Sequence, residues 1–190
     1  MKERKRLEKA LFQVYTGDGK GKTTAAMGLA LRAAGHDLRV LIIQFLKGGG
    51  FTGEFLAFKK FSNVEYHQFG PSADYAEKVK ENERKVGSEF FTRENKKLVN
   101  QGLEMAEKAV KSGDYDLVIL DELNVAVNFG DADLKRVLAL IDSRNPQTEL
   151  VITGRGAPLP IQEKADLVTE MKLIKHPFQK GILARWGIEY

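Results

Sequence analysis

A short apolar run, Leu11-Phe12-Gln13-Val14-Tyr15-Thr16, leads straight into Gly17-Asp18-Gly19-Lys20-Gly21-Lys22-Thr23. A helical pattern through Ala25, Met27, Leu29, Ala30 and Leu31 follows. Strand, glycine-rich turn and helix in that order leave few folds open, because the turn must gather backbone N–H groups at a helix start. Gly17, Gly19 and Gly21 permit backbone angles closed to other residues, so successive N–H groups can face one anion. The helix opening near Lys22 adds unpaired N–H groups and the positive end of its dipole. Lys22 supplies a point charge between phosphates, and the Thr23 hydroxyl is placed to ligate Mg²⁺. The stretch therefore reads as a phosphate cradle, with Gly17, Asp18, Gly19, Lys20, Gly21, Lys22, Thr23 and Thr24 as candidate ATP-binding residues. A plain glycine turn without a ligand is the alternative, but three glycines, the Lys-Thr pair and both flanking elements agree on the cradle. The general spacing Gly-x-x-x-x-Gly-Lys-Thr would put glycine where Thr16 stands, and Lys20 is an extra lysine. The loop is thus a variant.

The rest of the chain alternates in the same way. Val40–Phe45 is a continuous apolar run, the mark of a strand buried on both faces. Val64–Phe69, Leu117–Leu120 and Leu150–Thr153 read as further strands, and a last one is expected around residues 168–174. The first helix is expected to end at Gly35 as a C-terminal cap. A second is expected from Thr92 to about Lys111, with Leu98, Leu103, Ala106 and Val110 inward. A third runs over Asp131–Ser143, with Leu134, Val137, Leu138 and Ile141 at helical spacing. The alternation predicts an α/β fold: an open, mostly parallel sheet with helices on both faces and ligands at the carboxyl ends of the strands. With 190 residues, no repeat and no linker, one domain over 1–190 is expected. Its margins are a basic N-terminal stretch (1–10), readable as a lid helix or a solvated end, and a charged, non-periodic insert at 71–90.

Leu117–Leu120 runs into Asp121-Glu122, a buried strand ending in carboxylates. Such oxygens suit Mg²⁺, and the carboxyl end of a strand aims them at phosphates on a neighbouring loop. Thr23, Asp121 and Glu122 are the candidate metal ligands, although an acidic cap on a strand would look the same. Adjacent residues of an extended strand point to opposite sides, so the two carboxylates should have different tasks. Arg155, in Thr153-Gly154-Arg155-Gly156, can hold phosphate in a bidentate fork, with a solvated arginine as the plain alternative. Lys47 before Gly48-Gly49-Gly50 is a weaker candidate of the same kind. His36, His67 and His176 show no metal-ligand spacing, and no general-base constellation stands out.

The chain has no cysteine, which excludes disulfides, thiolate zinc sites and cysteine nucleophiles. A net charge of +4 lacks the strong basic bias of a dedicated nucleic-acid binder. No stretch approaches a membrane span, and the charged start has no signal-peptide core, so a cytoplasmic protein is expected.

Several segments resemble the P-loop type of ATP:corrinoid adenosyltransferase: Thr16–Ala26, Gln44-Phe45-Leu46-Lys47-Gly48, Leu120-Asp121-Glu122-Leu123-Asn124, and Ile152-Thr153-Gly154-Arg155-Gly156-Ala157-Pro158. Ala165–Met171, Lys175-His176-Pro177-Phe178 and the terminal Gly187-Ile188-Glu189-Tyr190 continue the likeness in the family's order, so it runs nearly end to end. The Thr-Gly-x-Gly-Lys-Gly-Lys-Thr variant is itself a mark of that family. The resemblance implies a RecA-like fold and transfer of the 5′-deoxyadenosyl group of ATP to the cobalt of a reduced corrinoid, cobalamin or a precursor, with release of triphosphate. It further implies Mg²⁺ (or Mn²⁺), a homodimer, a flavoprotein electron donor, and ATP bound with its polarity reversed so that C5′ is presented. Lys22 and Glu122 are then the candidate catalytic residues. A missing base has a reason: Co(I) is itself the nucleophile, so nothing must be deprotonated. One departure concerns the corrinoid. Family members commonly carry Gly-Phe-Thr-Trp after the third strand, with aromatics that help remove the lower axial ligand. Here the region holds Phe69-Gly70-Pro71-Ser72 and later Glu89-Phe90-Phe91-Thr92, and the only tryptophan is Trp186. Phe69, Phe90 and Phe91 are the candidate corrinoid contacts, and the last two equally suit a staple for the Thr92 helix.

Two rival readings remain at this level. A RecA-like or kinase-type enzyme would attack the γ-phosphate and needs a positioned water or acceptor, for which no residue stands out. A nucleic-acid-binding module would draw on Lys2, Arg4, Lys5 and Arg6 and bind with steep salt dependence.

Overall fold

Six apolar runs become strands: β1 (Phe12–Thr16), β2 (Val40–Phe45), β3 (Val64–Phe69), β4 (Leu117–Asp121), β5 (Glu149–Thr153) and β6 (Leu167–Glu170). They form one sheet in the order β3-β2-β4-β5-β1-β6, and every pairing is parallel. The computed structural model describes residues 7–49, 52–71 and 88–189. β2 and β4 are buried along their whole length, as continuous apolar runs require when helices cover both faces. One face packs on α1 (Lys22–Gly35) and α2 (Gly53–Phe58) through Ala26, Met27, Ala30, Phe58, Ile42, Ile119 and Val151. The other packs on α3 (Ser88–Ser112), α4 (Leu123–Asn128), α5 (Leu134–Asp142) and α6 (Leu159–Lys164). There Val99, Leu103, Leu123, Val137, Leu140 and Ile161 meet Leu41, Ile43, Phe45, Val118, Leu120 and Ile152. The expected open, parallel α/β sheet with helices on both faces is what forms.

Several local expectations shift. The core stripe of α1 is made of Ala26, Met27, Ala30, Ala33 and Ala34, while Leu31 is 54% exposed. Gly35 is the last helical residue, and the left-handed turn after it falls on Asp37 with φ 61°. α3 starts at Ser88, four residues before the expected Thr92, and takes in 88–90 of the expected insert. Its buried register is Val99, Leu103, Ala106 and Val110, so Val99 replaces Leu98 by strict helical spacing. α5 begins at Leu134 because the Asp133 side chain caps it, accepting from the Arg136 N–H. β6 spans four residues, and just past it Met171 still donates to the Thr16 carbonyl while its own carbonyl turns to accept from the Gly19 N–H of the glycine loop. α2, α4 and α6 have six residues each, too short for periodicity to reveal. Of the basic N-terminal stretch, residues 7–10 are not helical and residues 1–6 lie outside the described residues, as do residues 72–87 of the insert.

Candidate nucleotide site

The carboxyl ends of β1, β2, β4 and β5 converge on one cavity of about 550 Å³. β1 delivers the glycine loop. Glu122 after β4, Arg155 after β5 (which lies between β4 and β1) and Lys47 after β2 line the cavity, whereas Asp121, Thr153 and Gln44 at the same strand ends are fully buried and do not. Gly17 and Gly21 adopt φ 94° and 121°, which side chains other than glycine resist. Gly19 is required for a different reason: a Cβ there would lie 2.7 Å from the carbonyl oxygens of Met171 and Lys172. That segment braces the loop. The Met171 N–H donates to the Thr16 carbonyl at 2.8 Å, and the Gly19 N–H donates to the Met171 carbonyl at 2.7 Å.

Lys22 is only 7% exposed. Its Nζ donates to the carbonyls of Gly17 at 2.6 Å and Gly19 at 2.8 Å, so the ammonium is held inside the loop it serves. Burial lowers its pKa, and nearby Arg155 acts in the same direction, while Glu122, Asp18 and Asp121 oppose. Asp121, wholly buried, ties three elements together. Its Oδ1 accepts from Thr23 Oγ1 at 2.9 Å and Thr153 Oγ1 at 2.6 Å. Its Oδ2 accepts from Gln44 Nε2 at 2.8 Å and lies 3.8 Å from Lys47 Nζ. Glu122 follows in the left-handed region, φ 61°, with its N–H on Thr153 Oγ1 at 3.1 Å. The two carboxylates do part company, by this backbone twist as much as by strand alternation. Burial raises the Glu122 pKa and Asp121 adds to it, against Lys47, Lys22 and Arg155.

All the sequence-derived phosphate candidates Asp18, Gly19, Lys20, Gly21, Lys22, Thr23, Thr24 and Arg155 line this cavity, together with Lys47 and Glu122. Gly17 supports it from behind through its contact with Lys22. Thr23 and Asp121 touch directly, and Glu122 is the next residue. Among the described residues no group of three or more His, Cys, Asp or Glu is arranged to hold a metal. A hydroxyl with one or two carboxylates is nevertheless the set that fits Mg²⁺ shared with nucleotide phosphates and water. Phe69 stands apart: it packs under α3, where a Cβ on Gly102 would lie 3.0 Å from its ring, and it faces a second cleft. Phe90 and Phe91 fall in the first turn of α3, and their side chains lie outside the described residues.

Sequence reasoning missed four participants. Gln44 is the one polar residue in VLIIQF, but only the strand register sets it beside Asp121. Thr153 was visible only as the residue before Gly154. His176 and Glu189 reach the cavity from the C-terminal segment by tertiary folding alone. Glu189 Oε1 pairs with Lys20 Nζ at 2.8 Å and with Arg185 Nη2 at 3.1 Å. Arg185, then Lys20, hold its carboxyl down to about 2.

A parallel sheet, a glycine loop joining β1 to α1 and an aspartate closing β4 onto that loop's threonine define a P-loop nucleotide-binding protein. Within that class, residues 8–190 match the family described as ATP:corrinoid adenosyltransferase BtuR/CobO/CobP. A corrinoid adenosyltransferase of Pseudomonas aeruginosa is 37% identical over 184 residues, 96% of this chain and 85% of that protein. One from Escherichia coli K12 is 33% identical over 183 residues, 96% of this chain and 87% of that protein. The corrinoid adenosyltransferase CobA of Salmonella typhimurium is 32% identical with the same coverage. The chain belongs to the ATP:corrinoid adenosyltransferase family, whose reaction is adenosyl transfer from ATP to a corrinoid.

Proposed function

We propose that this chain transfers the 5′-deoxyadenosyl group of ATP to the cobalt of a reduced corrinoid, with the glycine loop holding the triphosphate as the leaving group. The observation that carries the reading is the Lys22–Thr23–Asp121 arrangement inside a chain of this family. Cobalt of the reduced corrinoid attacks C5′, the C5′–O bond breaks, and its electron pair leaves with the triphosphate. No proton has to move. The tasks left to the protein are alignment of the two reactants and stabilisation of charge growing on the leaving group. Loop N–H groups, Lys22, Lys47 and Arg155 meet that charge, and Lys22 Nζ exchanges the Gly17 and Gly19 carbonyls for phosphate oxygens. Thr23, Asp121 and Glu122 are the residues that would hold Mg²⁺ (or Mn²⁺), which when bound supplies further positive charge beside the triphosphate. Glu122 acts with Lys22 beside the triphosphate; burial and then Asp121 raise its pKa, against Lys47, Lys22 and Arg155.

The corrinoid is cobalamin or a precursor, contacted by Phe69, Phe90 and Phe91, and its electron comes from a flavoprotein donor. The chain works as one domain, in the cytoplasm, as a homodimer and without a nucleic-acid partner. Support for a second copy comes from Ile174, Phe178, Leu183 and Trp186, large apolar side chains exposed in the segment that follows β6. Among the described residues no helix is long and apolar enough to cross a membrane. The test is anaerobic incubation with chemically reduced cobalamin, ATP and Mg²⁺. Light-labile adenosylcobalamin is expected from the wild type and not from Lys22→Ala, with both folded by circular dichroism. An active Lys22→Ala enzyme would overturn the assignment.

A further inference from the structure

We propose that Gln44 is a positioning residue: anchored by Gln68, it fixes the orientation in which the Asp121 carboxylate receives the Thr23 hydroxyl. The inference rests on the nucleotide-site reading above. β2 is apolar at every position except Gln44, which is wholly buried. An amide left unsatisfied there would be strongly unfavourable, yet both its ends are engaged. Nε2 donates to Asp121 Oδ2 at 2.8 Å, and Oε1 accepts from Gln68 Nε2 at 2.8 Å. The register of the sheet builds this row, because Gln44 is the ladder partner of Asp121 on one side and of Gln68 on the other.

The row also has a direction. An ionised carboxylate only accepts, so the nitrogen of Gln44 must face Asp121 and its oxygen must face Gln68. A carboxyl group turns in a broad, roughly two-fold well about its last torsion, so a single contact leaves its plane loose. Here each oxygen has its own pin: Thr153 Oγ1 on Oδ1 and Gln44 Nε2 on Oδ2. Thr23 Oγ1 then meets the fixed edge, at 2.9 Å from Oδ1 and 3.2 Å from Oδ2. Without Gln44, Oδ2 keeps the longer Thr23 contact and Lys47 Nζ at 3.8 Å, a partner on a half-exposed flexible side chain.

The backbone keeps the donor row in place. The loops after β2 and β3 touch so closely that a Cβ on Gly48 would strike the Gly70 carbonyl, and one on Gly70 would strike the Lys47 amide. The Leu46 N–H donates to the Phe69 carbonyl at 2.9 Å in the same place. The strand ends carrying Gln68 and Gln44 therefore move as one piece.

The experiment is a double-mutant cycle on ATP affinity, by calorimetry with and without Mg²⁺, for the wild type, Gln44→Met, Asp121→Asn and the double variant. Gln44→Met keeps the volume of the side chain and removes the donor. It is expected to weaken ATP binding in Mg²⁺ by about 10-fold to 100-fold, the range for outer partners of a metal ligand. Without Mg²⁺ the change should be under about twofold, and in the Asp121→Asn background Gln44→Met should cost almost nothing more. Equal losses with and without Mg²⁺, or the same factor in both backgrounds, would overturn the proposal and leave Gln44 a packing residue. Should Gln44→Met fail to fold, Gln68→Met is measured in the same cycle, with the same two outcomes deciding. No corrinoid enters these titrations, so an error about the transferred group would show as missing adenosylcobalamin while the Gln44–Asp121 coupling stayed intact.

Discussion

Lys22 shows how burial and charge are reconciled at single residues. An ammonium this deep is costly, and the loop offsets the cost by turning two of its own carbonyls onto Nζ. On the proposed function, triphosphate replaces those carbonyls, and Lys22→Ala removes a contact to the leaving group. We expect a loss of about 100-fold to 1000-fold or more in transfer rate with little change in melting temperature. Gly70 makes a different demand, one of space. Gly70→Ala sets a methyl against the Lys47 backbone, which should destabilise the protein by about 1–3 kcal/mol in urea denaturation, and an unchanged midpoint would contradict the contact. The candidate phosphate residues could be gathered from the sequence, and they do meet at one cavity, because the loop is local: glycines, lysine and threonine lie within eight positions. Gln44, Thr153 and Glu189 could not, because a strand register or a returning tail brings them to the site.

Elements are held by fewer polar contacts than apolar ones, and the clearest is between α3 and α5. Arg136 grips Glu107 through Nε at 2.7 Å and Nη2 at 3.1 Å, and its Nη1 donates to Asn100 at 2.8 Å. The guanidinium holds the Glu107 carboxyl below its usual range. A depressed carboxylate stabilises the fold above its unfolded pKa, about 4.3, and loses that contribution as pH falls through its folded value. Arg136→Met should therefore cost up to about 1 kcal/mol at neutral pH, because both partners are partly exposed and screened. The deficit should shrink as the medium is acidified below the ordinary carboxylate range, and a gap that stays constant with pH would assign it to packing alone. β2 and β4 were readable as doubly buried strands from their unbroken apolar runs. The helical pattern marked α1 without showing which face it buries, and that face is alanine-rich, with Leu31 outside.

Across the whole molecule, four strand ends and the C-terminal segment share one cavity, and only the strand ends could be placed from sequence alternation. The segment is latched by Glu189 on Lys20, a phosphate candidate; if Lys20 binds ATP as proposed, nucleotide and carboxylate compete for one ammonium. Trp186, the single tryptophan and 74% exposed, lies in that segment and reports on it. ATP should change its fluorescence, and Lys20→Met should remove most of the change; a silent Trp186 would mean that the latch survives nucleotide binding. Which bond of ATP is broken separates adenosyl transfer from γ-phosphate chemistry. The most direct measurement is the phosphate species released per adenosylcobalamin formed from chemically reduced cobalamin under anaerobic conditions. One intact triphosphate for each light-labile product is the predicted result, whereas ADP and phosphate accumulating without a cobalamin product would mean that the loop delivers the γ-phosphate instead.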